Sequence, residues 1–207
     1  MNEHAAPLTS LESTVRQIAA ALDEEGRKWA FVGALAISAR AGLRASRDVE
    51  IAISVSDDQD ARGLVFDLQA GGFQVAGAIA KDAAGRTAAV RLRSVGETHR
   101  KGIVVDLLFA SSGVEDEIAS AAERIPVLPG LVVPVALPAH LIALNVLSRG
   151  DVKHPREAED LRSLLARASA GDLALARDLL RLVIRRGSDR GKDLERELDR
   201  AVTDFGP

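Results

Sequence analysis

Apolar residues recur along this chain in two periods, and the change from one to the other divides it. Leu11, Val15, Ile18, Ala19 and Leu22 fall on one helical face, with capping-box spacing between Thr9 and Glu12 at its start and a glycine stop at Gly26. Residues 29–32 form a short apolar strand, and residues 34–41 a short helix. Over residues 47–55 apolar and polar positions alternate strictly. Val49, Ile51, Ile53 and Val55 therefore face one side of a strand, and Asp48, Glu50, Ala52 and Ser54 face the other. A helix is predicted over 57–69, opened by capping-box spacing between Ser56 and Gln59 and ended at Gly71-Gly72. Residues 73–76, 87–92 and 103–109 read as strands, 81–86 as a turn, and 114–123 as a short helix. The polar connection over 94–102 makes the two strands beside it a candidate hairpin. Residues 125–137 are apolar but broken by Pro126, Pro129 and Pro134, which suits an edge strand or an extended connection.

Beyond residue 138 the period is helical throughout. Helices are predicted over 138–147, 157–168, 172–186 and 192–204, with loops at Arg149-Gly150-Asp151, at Ser169-Ala170-Gly171 and over 187–191. The pattern predicts an α+β chain: a mixed α/β domain over 1–137 and a helical region over 138–207 packed against it.

Composition narrows the chemistry. Hydrophobic residues make up 47% of the chain and aromatic residues only 3%, so the core has to be built from Ala, Val, Leu and Ile. A formal net charge of −3 gives no global attraction to nucleic acid. The chain has no cysteine, which excludes a disulfide framework, a cysteine-based zinc site and a thiol nucleophile. No basic-then-apolar leader opens the sequence, and no apolar run approaches the roughly 18 residues of a membrane span. The expected location is the cytoplasm.

The stretch from Phe31 to Val55 carries the candidate chemistry. A strand ends at Gly33, a helix follows, and Asp48 and Glu50 stand side by side on one face of the next strand. Carboxylates hold Mg²⁺, and a helix N-terminus holds phosphate. Both needs meet in an enzyme that handles nucleoside triphosphates. Asp106 lies within the apolar run IVVDLLF, where an ionised carboxylate is costly unless it is paired or binds a cation. Other readings stand beside these. Asp48 and Glu50 also suit the solvated face of an amphipathic strand, and Asp106 also suits a structural pair with Arg91 or Arg93.

The order of an apolar strand, Gly33-Ala34, a helix, Arg44, Ser46 and Asp48-Val49-Glu50, with Asp106 on a later strand, resembles the nucleotidyltransferase superfamily that includes DNA polymerase beta. It is most similar to AbiEii-type and other minimal nucleotidyltransferases, many of them toxins of toxin–antitoxin pairs. The resemblance covers roughly residues 29–165. It implies a small mixed sheet of about five strands followed by helices. It also implies catalytic, metal-holding carboxylates at Asp48, Glu50 and Asp106, binding Mg²⁺ or Mn²⁺. Gly33, Ala34, Arg44 and Ser46 would contact the NTP. In the helical half, Leu141-Ile142-Ala143-Leu144-Asn145 and Glu157-Ala158-Glu159-Asp160-Leu161 are similar to the family's later motifs, which adds Asn145 and Asp160 to the nucleotide site.

Four family positions differ in this chain. Ala34 stands for Gly or Ser, Glu50 for Asp, Asn145 for Lys and Glu157 for Asp; Lys153 or Arg156 would then supply the missing charge. The implied reaction moves a nucleoside monophosphate from an NTP to a hydroxyl on RNA, such as a tRNA end, or on a protein. A cognate antitoxin is the implied partner. A catalytically degenerate binding module is the alternative. A receiver-like phospho-acceptor domain fits poorly, because its lysine has no counterpart.

Three features have simpler readings. Asp160 is also readable as a helix-surface acid paired with Arg156 or Arg162. Arg177, Arg181 and Arg185 recur every four residues, with Arg186, Arg190 and Lys192 beyond, which would suit RNA phosphates but better suits a solvated face paired with Asp178, Asp189, Asp193 and Glu195. His99, His140 and His154 lack metal-ligand spacing.

Overall fold

A computed structural model describes residues 10–42, 46–77, 80–81, 87–95, 102–149 and 155–206. Helix α1 (Ser10–Glu24) buries Val15, Ile18, Ala19 and Leu22, the face its period predicts, and the chain turns at Gly26 with φ +64°. Thr9, the expected cap, lies outside the described residues. Strand β1 (Trp29–Val32) is buried along its whole length and runs directly into α2 (Gly33–Ala41). Strand β2 (Asp48–Ile53) leads to α3 (Asp58–Ala70), which is capped by Asp57 rather than by the expected Ser56–Gln59 box. The Asp57 carboxylate accepts from the backbone N–H groups of Gln59 and Asp60, while Ser56 donates to the Asp60 carboxylate. A carboxylate one residue further on serves the same orphan donors at the positive end of the helix dipole.

Strands β3 (Phe73–Val75), β4 (Ala80–Lys81), β5 (Thr87–Ser94) and β6 (Val104–Leu108) follow, then α4 (Glu115–Ser120). The proline-broken segment resolves into two strands, β7 (Glu123–Leu128) and β8 (Leu131–Val135), paired antiparallel about a turn at Gly130 with φ +68°. Pro126 lies on the outermost strand, where the register also shifts. The sheet therefore has eight strands rather than about five, in the order β3-β5-β6-β2-β1-β8-β7, with β4 beside β5. It is mixed. β2 pairs antiparallel with β1 and parallel with β6, and β1 pairs parallel with β8. The expected hairpin of β5 and β6 forms.

The helical half comprises α5 (Pro138–Ser148), α6 (Pro155–Leu165), α7 (Ala170–Arg185) and α8 (Leu194–Phe205). Helix α5 is apolar nearly all round because α2, α6, α7 and α8 all pack against it. Its C-terminal carbonyls at Leu147 and Arg149 accept hydrogen bonds from the Lys192 ammonium at 2.7 and 3.2 Å, a cation at the negative end of the helix. One buried cluster runs from Val15 through Trp29, Phe31, Ile51 and Leu107 to Leu141, Leu161, Leu180 and Leu198. The sheet and the helical half thus share a core. Its few aromatics include Trp29 and Phe31, packed edge to face at 5.1 Å. Among the described residues, no helix is long and apolar enough to cross a membrane.

Candidate functional site

The site is built on register. Residues directly opposite in a ladder point to the same face of the sheet. Glu50 on β2 stands opposite Asp106 on β6, and Asp106 stands opposite Arg91 on β5. Asp48 is two residues from Glu50, one pleat along the same face, opposite Val104. Asp48, Glu50 and Asp106 therefore gather on one face, as the sequence reading expected, and Arg91 joins them. The Arg91 guanidinium grips Asp106 with both arms, Nε to Oδ1 and Nη2 to Oδ2, each at 2.7 Å. Hydrogen bonding to Asp106, with the added fields of Asp106, Asp48 and Glu50, raises the Arg91 pKa and fixes its charge. The pairing of Asp106 with Arg91, one of the two partners considered above, is thus realised.

The other end of the site is the turn from β1 into α2. Gly33 has φ +59°, and a Cβ built on it would overlap the Glu50 carboxylate. The turn thus requires glycine twice, for its left-handed backbone and for the room Glu50 takes. The helix cap at Val32 provides no side-chain hydrogen bond. The Glu50 carboxylate instead lies against the first turn of α2, where negative charge is favoured.

A cavity of about 410 Å³ opens beside this turn, lined by Gly33, Ala34, Glu50, Asn145, Asp160 and Arg190 among others. Helices α5 and α6 bring Asn145 and Asp160 to the same place as the β1–α2 turn, although more than a hundred residues separate them in sequence. Asn145 donates its side-chain amide back to the Leu141 carbonyl at 2.8 Å. Asp160 is 6% exposed, so it is a buried acid at the cavity and not a helix-surface one. Ser46 donates its hydroxyl to the backbone carbonyl of Asp48 at 2.6 Å, holding the start of β2 rather than lining the cavity. Arg44 lies outside the described residues, as do Lys153 and the side chain of Arg156.

Arg190, which the sequence groups with the basic residues beyond the α7 stripe, lines this cavity. It sits in the loop between α7 and α8 with φ +56°, the one non-glycine residue in the left-handed region among those described. Its guanidinium donates to the Ser111 carbonyl at 3.4 Å, and Ser111 and Ser112 line the same cavity. The glycines around residues 187–191 marked a loop, but nothing in that local pattern pointed to a site formed by α2 and β6.

The donor chemistry of the three carboxylates suits Mg²⁺ or Mn²⁺, both of which prefer hard oxygen ligands. Their present arrangement does not yet form a cation cage. Both Asp106 oxygens are taken by Arg91, and among the described residues no group of three or more Asp, Glu or His side chains is placed to hold a metal.

The arginine stripe of α7 follows the simpler reading. Arg177 pairs with Asp199 at 2.6 Å, and Arg181 pairs with Glu195 at 3.1 Å and Asp178 at 3.5 Å. His99 and His154 lie outside the described residues. His140 is 2% exposed, its Nδ1 has no hydrogen-bond partner, and burial lowers its pKa to about 4.

No protein-family profile matches the chain, and no curated protein matches it. Solved structures do. An antigenic nucleotidyltransferase-like protein from Paracoccidioides brasiliensis superposes with a TM-score of 0.56 at 18% identity, over 94% of this chain and 95% of that one. ANT(2'')-Ia, solved in complex with adenylyl-2''-tobramycin, gives 0.55 at 17% identity, over 86% and 99%. The nucleotidyltransferase toxin MenT4 from Mycobacterium tuberculosis gives 0.51 at 14% identity, over 94% and 92%. The chain thus shares the fold of these three structures over 86–94% of its length, sheet and helical half together.

Proposed function

We propose that this chain is a nucleotidyltransferase that moves a nucleoside monophosphate from an NTP to a hydroxyl on RNA, a tRNA end being one candidate, or on a protein. The observation that carries the reading is the row of Glu50, Asp106 and Arg91 across three strands, with Asp48 beside it and the Gly33 turn at its end. Fold alone hosts many functions, so the site has to bear the argument. Similarity to ANT(2'')-Ia and to the toxin MenT4 supports nucleotidyl transfer as the reaction class, and the latter supports a toxin's role as its context.

In this mechanism the acceptor oxygen forms a bond to the α-phosphorus as the α–β bridging P–O bond breaks, and pyrophosphate leaves. Mg²⁺ held by Asp48, Glu50 and Asp106 would supply charge neutralisation of the triphosphate and acidify the attacking hydroxyl. Asp106, once released from Arg91, would help activate the hydroxyl by accepting its proton. Once the Glu50 carboxylate leaves the Gly33-Ala34 turn to hold the cation, the backbone N–H groups at the start of α2 would be open to the phosphates. Arg190 supplies positive charge from the far wall of the cavity, where Asn145 has no charge to offer. The cavity between α2 and α5 takes the nucleotide, and the apolar walls of Leu141, Leu144 and Leu147 exclude water from it.

A second reading, a non-catalytic nucleotide- or partner-binding module, is favoured by the closed Arg91–Asp106 pair and by the absence of a hydroxyl at Ala34. One assay separates the two. Purified protein is incubated with each α-labelled NTP, with Mg²⁺ or Mn²⁺ and total cellular RNA and protein, beside Asp48→Ala. Label transferred by the wild type and lost in the variant supports the enzyme. Asp48 is exposed, so its removal leaves the melting temperature unchanged. Equal labelling by the two proteins would sink the proposal.

A further inference from the structure

The carboxylate face is internally counter-charged. Three acids at neighbouring positions of two strands repel one another unless a cation stands among them. Here that cation is Arg91, whose fork takes both oxygens of Asp106. The two partners are unequally held. The Asp106 side chain is 15% exposed, whereas Arg91 is 55% exposed and reaches in from the rim. Swinging the guanidinium outward returns it to water without disturbing the core, while Asp106 is fixed by its strand. Glu50 is engaged as well, since its carboxylate rests in the Gly33 turn. A divalent cation at this face needs the oxygens of Asp106 that Arg91 holds, so the two compete for the same acceptors.

We infer that Arg91 is a positioning residue that acts as the resident counter-charge of the carboxylate set and lowers its affinity for divalent cations by competing for Asp106. The inference rests on the carboxylate site of the proposed reaction and adds to it a residue that the family motif does not specify. Released from Arg91, Asp106 becomes a more available ligand. With Arg91 in place, the site fills only at higher cation concentration or when a bound triphosphate brings further oxygen ligands.

The test uses Mn²⁺ alone as probe, measured by calorimetry and by the paramagnetic resonance signal of unbound Mn²⁺. Wild type, Arg91→Gln, Arg91→Lys and the double variant Arg91→Gln/Asp106→Asn are compared, with circular dichroism melts to establish folding. The expected result is Mn²⁺ binding about tenfold tighter in Arg91→Gln, equivalent to about 1.4 kcal/mol. Arg91→Lys, which keeps the charge without the fork, falls between the two. The gain disappears in the double variant.

Equal affinity across the series, weaker binding in Arg91→Gln, or no Mn²⁺ binding by any variant overturns the inference. If Arg91→Gln does not fold, wild type against Arg91→Lys carries the comparison: tighter binding by the lysine variant supports it, and equal binding overturns it. The transfer assay separates this result from the proposed reaction. Transfer by wild type with equal Mn²⁺ affinities discards the role of Arg91 and keeps the enzyme. Tighter binding in Arg91→Gln with no transfer by wild type or either single Arg91 variant discards the enzyme and keeps the competition.

Discussion

Replacing Gly33 by alanine tests the joint between fold and site. The native φ of +59° is left-handed, a conformation that costs an L-residue about 1–2 kcal/mol. The new Cβ would also overlap the Glu50 carboxylate, which has to move out of the turn. Overpacking of this kind costs about 1–3 kcal/mol. Gly33→Ala is therefore expected to destabilise the protein by about 2–5 kcal/mol, a large share of a typical domain's stability. The two contributions separate in a double-mutant cycle with Glu50→Ala. Removing the carboxylate removes the overlap but not the backbone cost, so alanine at position 33 should cost only about 1–2 kcal/mol in that background. Other interactions of Glu50 cancel in the cycle. Urea denaturation followed by circular dichroism gives each corner, provided the m-values agree. Additivity within about 0.5 kcal/mol would refute the reasoning, because it would mean that Glu50 does not occupy the turn.

Two further outcomes follow from single residues. His140 stays neutral in the fold down to about pH 4 because burial lowers its pKa, whereas an unfolded histidine titrates near 6.5. Its contribution to stability is present above pH 6.5 and is lost as pH falls from 6.5 toward 4. The loss is at most about 3 kcal/mol, and His140→Leu should flatten that part of the stability–pH curve. An unchanged slope in the variant would remove His140 as the cause. Arg190→Ala, at a loop position on the cavity wall, should raise the KM for NTP roughly tenfold with kcat little changed, as expected for a contact made equally in ground and transition states. An unaltered KM would take Arg190 out of the nucleotide site.

Much of the architecture was written in local pattern. Strict alternation over residues 47–55 placed Asp48 and Glu50 on one face, and the position of Asp106 within an apolar run marked it as paired or cation-bound. The change from strand to helical period at residue 138 marked where the helical half begins. These features depend on periods of 2 and 3.6 residues, which a linear sequence displays directly. The hairpin of β7 and β8 was hidden, because three prolines within thirteen residues obscured the strand period. Asp57 displaced the expected Ser56 cap, because adjacent polar residues compete for the same orphan N–H groups.

The tertiary structure decided what pairing decides. Arg91 was visible as one of two candidate partners for Asp106, and only the β5–β6 register selected it over Arg93. The occupation of the Gly33 turn by Glu50 depends on β1 and β2 lying side by side with Val32 opposite Glu50. Asp160 and Arg190 meet Gly33 because α6 and the α7–α8 loop close over α2, contacts that span more than a hundred residues and leave no local periodicity. The sequence by itself determined which elements form and which chemical groups each face presents. The fold alone determined which of those groups neutralise one another, because that depends on distances between strands and helices that only packing sets.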